Sequence, residues 1–108
     1  MGAYVFRLIP TRPTFAFDMT EAERELMGRH AMYWRELMAR DHVVAFGPVD
    51  DPGGGYGLAV VIADTPEQAR RFADEDPAVT SELKFSTEIS PMLALITPAT
   101  PGPAEEGS

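Results

Sequence analysis

The sequence predicts an α+β fold of the ferredoxin-like type, βαββαβ with an antiparallel sheet. Three observations predict it. A short stretch of strand periodicity is followed by a long stretch of helical periodicity, Thr20 to Arg40. Two further strand stretches flank DDPGGG, Asp50 to Gly55, which has hairpin turn chemistry. A second helical stretch then precedes a last alternating one, and right-handed crossovers put both helices on one sheet face.

Each element has a local reason. Ala3 to Ile9 is the first strand, with Tyr4, Phe6 and Leu8 pointing one way and Val5, Arg7 and Ile9 the other. Pro10 and Pro13 stop it, and Pro10 to Met19 reads as a loop with an unusual load, Arg12, Phe15 and Phe17. Long loops in compact domains are often functional, so a lid or pocket wall is one reading and a cap on the core is the other.

The long helix opens on a capping box, Thr20 with Glu23, and carries Glu21, Glu23 and Glu25 in its first turns. Leu26, His30, Tyr33, Trp34, Leu37 and Met38 share one face. Asp41 and His42 make a short turn. Val43 to Val49 and Tyr56 to Ala63 are the second and third strands, with Val44 and Phe46 expected on one face and Val43 and Ala45 on the other. Thr65 caps a second helix, with Pro66 at its first position, running to about Asp74. Asp76-Pro77 starts another short helical turn. Lys84 to about Leu95 is the last strand, with Phe85, Thr87, Ile89 and Leu93 alternating. Residues 1–96 form one domain, and 97–108, rich in Pro, Gly and Glu, read as a disordered tail.

Composition excludes several classes. A net charge of −8 over 108 residues gives nothing to displace counterions from phosphates, so no nucleic acid and no anionic membrane surface is expected as a partner. With no cysteine there is no disulfide, thiol nucleophile or thiolate metal site. No apolar run has transmembrane length, and the first residues lack a signal-peptide pattern, so a cytoplasmic location is expected. DPGGGYG lacks the Lys-Ser/Thr of a phosphate-binding loop. His30 and His42 have no metal-ligand spacing, so neither a metal nor another cofactor is expected.

Patterning also bears on assembly. Both rows of the third strand are apolar, Tyr56, Leu58, Val60 and Ile62 as well as Gly57, Ala59, Val61 and Ala63. Helices cover one face only. The other is too apolar to leave in water, and packing two sheets face to face gives a homodimer, a dimeric α/β barrel.

Two residues carry candidate chemistry. His30 interrupts an apolar stripe, and imidazole is the side chain suited to proton transfer near neutral pH. Its alternative is a core histidine satisfied by its surroundings. Asp76 is either a helix cap before Pro77 or a carboxylate that fixes the tautomer of an imidazole and stabilises its cation.

The segments PTRPTFAFDMTEAERELMGRHAMYW, GPVDDPGGGYGLAVV and DEDPAVTSELKFSTEISPM together resemble the YciI-like (YCII-related) family, over about residues 3–96. What carries the resemblance is an ordered set: the histidine in the long helix, Gly47-Pro48 after the second strand, and Asp76-Pro77 after the second helix. It implies a dimeric α+β barrel with a His–Asp pair in a cleft, at His30 and Asp76. Family members include a dehydrochlorinase acting on a muconolactone-type substrate. Many members carry an aromatic shortly after the Asp-Pro, where this chain has Ala78.

The expected function is a cofactor-independent lyase or isomerase, dehydrochlorinase-like, on a small organic substrate. His30 is its general base or acid and Asp76 the orienter. Phe15, Phe17, Tyr33 and Trp34, with Gly47 and Pro48, are the candidate substrate-binding residues, and Arg12 is the candidate partner for a substrate carboxylate. The alternatives are a small-molecule-binding or accessory dimer without turnover and a cofactor-free dimeric-barrel monooxygenase.

Overall fold

The structure is a computed structural model that describes residues 1–100. Most of the expected tail, residues 101–108, lies outside the described residues. The elements run β1 (Gly2–Ile9), α1 (Phe15–Asp18), α2 (Glu21–Ala39), β2 (Val43–Val49), β3 (Tyr56–Ala63), α3 (Pro66–Asp74), α4 (Pro77–Thr80) and β4 (Ser86–Pro91). All strand neighbours are antiparallel, in the order β2-β3-β1-β4, the ferredoxin-like arrangement that the element order implies.

The cap residues set the helix starts. Thr20 accepts from the Glu23 backbone N–H at 3.1 Å, and Glu23 accepts from the Thr20 N–H at 2.8 Å, so the capping box is reciprocal. Thr65 accepts from Gln68 N–H at 3.0 Å, with Pro66 in the first turn of α3. At the other end of α2, Asp41 N–H reaches Met38 O and His42 N–H reaches Leu37 O, the paired bonds of a Schellman turn. That turn needs a left-handed residue, and Asp41 supplies it with φ 66°.

The core lies between α2 and the sheet. Phe6 faces Ala59 on one side and Ile89 on the other, so these three share the helix-side row. Trp34 stacks on Phe6 with ring centres 5.0 Å apart, and both are fully buried with Leu8, Leu37 and Val61. Burying a side chain of this size stabilises by about 1.5–3 kcal/mol. The small row of β3 (Ala59, Val61 and Ala63) is buried, which lets the helices approach closely. The other row, Leu58, Val60 and Ile62, stays half-exposed on the open face with Val5 and Ile9 of β1.

Three expectations are corrected. In β2 a register shift between Val43 and Ala45 breaks the alternation, so Val43 is buried and Phe46 packs on the same core rather than opposite it. Val44 and Ala45 are both left exposed. The Pro10–Met19 segment is not wholly loop: Phe15–Asp18 makes one helical turn. The last strand is shorter than expected. Lys84 is left-handed, with φ 57°, which extended backbone does not allow, so β4 begins at Ser86. It ends at Pro91, and Leu93, expected inside the alternation, is fully exposed.

Pro48 in β2 is tolerated because β2 is an edge strand, where a missing N–H need not break the ladder.

Candidate functional site

The site is built from the middle of α2 and the first residue before α4. Pro77 fixes the start of the short α4, and Asp76 takes the N-cap position, its Oδ1 accepting from Ala78 N–H at 2.8 Å. The capping alternative for Asp76 is therefore correct, but it uses only part of the carboxylate. His30 Nδ1 lies 2.7 Å from Oδ2 and 2.9 Å from Oδ1, and Trp34 Nε1–H donates to Oδ2 at 2.7 Å. His30 and Trp34 are four apart on α2, on one face, so both reach the same acceptor.

An ionised carboxylate only accepts, so the proton between it and His30 sits on Nδ1. Asp76 is fully buried, and the His30 side chain keeps 14% exposure. Among the described residues Nε2 makes no hydrogen bond, and His30 lines a cavity of about 280 Å³. The site thus holds one ring nitrogen in a fixed tautomer and leaves the other unpaired in a ring that lines the cavity. That arrangement can accept a proton at Nε2 and return it, with the carboxylate stabilising the cation formed between the two events.

The cavity lies between α2 and the sheet, closed on one side by α1. Phe15, His30, Trp34, Gly47 and Pro48, all candidates from the sequence, line it. So do Phe6, Leu8, Met19, Met27, Phe46, Tyr56 and Phe85. Phe15 meets Phe85 edge-on at 5.3 Å, which seats α1 against the start of β4. Met27 had a signal in the sequence, three residues before His30 on the same helical face. Phe46 had none, because the bulge that turns it inward leaves no trace in a period-two reading. Met32, which resembles Met27 in sequence, is 71% exposed.

Arg12, Phe17 and Tyr33 do not line the cavity. Phe17 is 74% exposed. Tyr33 donates its hydroxyl to Phe72 O at 2.6 Å, tying α2 to α3. Burial first, and then the charges of Glu75 and Asp76, push its phenol above the ordinary tyrosine range.

Arg12 is engaged by the chain's own carboxylates. Its Nη1 and Nη2 donate to the two oxygens of Glu23 at 2.9 and 2.7 Å, its Nε donates to Asp18 Oδ1 at 2.8 Å, and Nη2 also donates to Asp18 O at 3.0 Å. This forked pairing pins the loop and α1 to the first turn of α2. It raises the guanidinium further above its usual value, Glu23 contributing most and Asp18 next. The hydrogen bond from Arg12, followed by that from the Thr20 backbone, brings the Glu23 carboxyl down from 4.5 to about 2. The Thr14 hydroxyl and then Arg12 lower that of Asp18.

Among the described residues no three His, Asp or Glu side chains converge as a metal site, and no helix is long and apolar enough to cross a membrane. The family model described as the YCII-related domain matches residues 3–93. No curated protein matches the chain.

Proposed function

The chain belongs to the YCII-related domain family, and on that premise we propose that it is a cofactor-independent acid–base enzyme, a lyase or isomerase of small organic molecules. His30 is the base and acid, and Asp76 orients it. One observation supports this reading above the others: Nδ1 of His30 is held by a fully buried carboxylate while the same ring lines an apolar cavity. A histidine needed only for packing would not require a second buried polar group, and a cap needed only for α4 would not require a histidine. We further propose that the enzyme acts as a cytoplasmic homodimer, its open apolar sheet faces packed together, with no nucleic acid or membrane partner.

In the proposed step, Nε2 removes a proton from carbon. The electron pair of that C–H bond forms a new π bond, and a leaving group departs with its own pair, or the proton returns at another carbon. A probe tests the base without knowledge of the natural substrate. 5-Nitrobenzisoxazole loses its ring C–H proton to a base, forms a nitrile and breaks its N–O bond to give a coloured phenolate. Wild-type protein is expected to exceed His30→Gln by about a hundredfold in kcat/KM, the lower end of what a positioned general base contributes. Equal rates for the two would remove the catalytic reading. Saturable binding alongside them would leave the non-catalytic binding protein.

A further inference from the structure

We infer that the cavity beside His30 takes a neutral, largely apolar molecule the size of about two fused rings, and disfavours carboxylates and other anions. The inference deepens the acid–base reading by naming its substrate class, but the binding preference itself needs no proton transfer.

Four observations converge. First, the walls are Phe15, Met27, Trp34, Phe46, Phe85 and their apolar neighbours, and no Asp, Glu, Lys, Arg, Ser, Thr, Asn or Gln side chain is among them. An anion entering there gives up its hydration and meets no cation. Second, His30 cannot serve as that cation. With the ring protonated, the His30–Asp76 pair is neutral as a unit, and with the ring neutral it carries one negative charge. Third, Arg12, the cation that the sequence offers for a substrate carboxylate, directs its fork at Glu23 and Asp18 and is absent from the cavity walls. Fourth, the chain's net charge of −8 repels anions at long range.

Size follows from comparison. An apolar cavity of about 150 Å³ accommodates benzene. The cavity of about 280 Å³ therefore has room for a second ring. The position of His30 in the wall adds one chemical requirement. The molecule must present an acidic C–H or O–H to Nε2, and a phenol or an enolisable cyclic carbonyl meets it without carrying charge.

The test is a titration followed by the indole N–H resonance of Trp34, the chain's one tryptophan and a wall residue. The probes are 2-naphthol, neutral in neutral buffer, and 2-naphthoate, of similar ring size but anionic. 2-Naphthol is expected to shift the resonance with at least about tenfold tighter binding than 2-naphthoate. Ala16→Arg places a cation on an exposed wall position of α1 and is expected to narrow that ratio. Equal or tighter binding of 2-naphthoate to the wild type, no shift with either probe, or a ratio unmoved by Ala16→Arg would each overturn the inference. His30→Gln separates this inference from the catalytic one. A retained preference for 2-naphthol without His30-dependent elimination removes only the acid–base reading. Elimination with a preference for 2-naphthoate removes only the substrate class.

Discussion

Asp76 does three things with two oxygens: it caps α4, receives Trp34 and holds His30. Removing it leaves three N–H groups without a partner, those of Ala78 and Trp34 buried and that of His30 part-buried. Asp76→Ala is therefore expected to destabilise the fold by about 3–5 kcal/mol, since each N–H left without its partner costs about 1–3 kcal/mol, read as a lower denaturation midpoint at unchanged slope. Asp76→Asn separates stability from orientation. Its amide can donate to Nδ1 where the carboxylate only accepts, so the ring proton should move to Nε2 in the neutral imidazole. Two-bond 15N–1H correlation of His30, recorded where the ring is neutral, reads the tautomer directly. The same tautomer in both proteins would mean that Asp76 does not orient the ring. The sequence presented capping and pairing as alternatives for Asp76. They coexist because a carboxylate has more acceptor sites than either role uses.

At the scale of elements, one wall of the cavity depends on how α1 is tied down. Arg12 links the loop before α1 and Asp18 at its end to Glu23 in the first turn of α2. The pH dependence of that tie has a definite sign. Glu23 has a folded-state value of about 2 against an ordinary 4.5, so the carboxylate is favoured in the folded protein. Its contribution is complete above 4.5 and is lost as pH falls toward 2. Across that window unfolding should take up about one proton on account of this group. Glu23→Gln should lower the thermal midpoint at neutral pH and flatten its fall in acid. A variant with the same acid slope as the wild type would show that the pairing does not form in solution. The one-turn α1 itself was hidden in the sequence, because Pro10, Pro13 and Thr14 signal a loop and a single turn has too few residues to show a period.

The whole molecule is a one-sided sheet. Helices cover the face of Phe6, Leu8, Ala59 and Val61, and the face of Val5, Leu58, Val60 and Ile62 has no covering layer among the described residues. Face-to-face pairing of two such sheets is the proposed remedy, since contiguous apolar surface of this kind is seldom left in water. Sedimentation equilibrium at micromolar protein should give twice the chain mass of 11.8 kDa. A single species at 11.8 kDa would remove the barrel. Replacing Val60, at the centre of that face, with Lys should shift the protein toward monomer while leaving its helical signal intact. That outcome would separate assembly from folding.

Local chemistry alone determined the element order apart from α1, the starts of α2 and α3, the bounds of β2 and β3 and the identity of His30 as the odd residue in its stripe. Each of these depends on neighbours within a few positions: a hydroxyl three residues before a carboxylate, a proline after a cap, an alternation of side chains. The tertiary structure decided the rest. It brought Asp76 to His30 across 46 positions and added Trp34 to the same carboxylate. It turned Phe46 inward through a bulge, and it assigned Arg12 to Glu23 and Asp18 rather than to the cavity. These outcomes depend on which surfaces meet when α2, α4 and the hairpin close on one core. Residue spacing restricts which groups can share a face, but only packing selects the partner that each polar group finds.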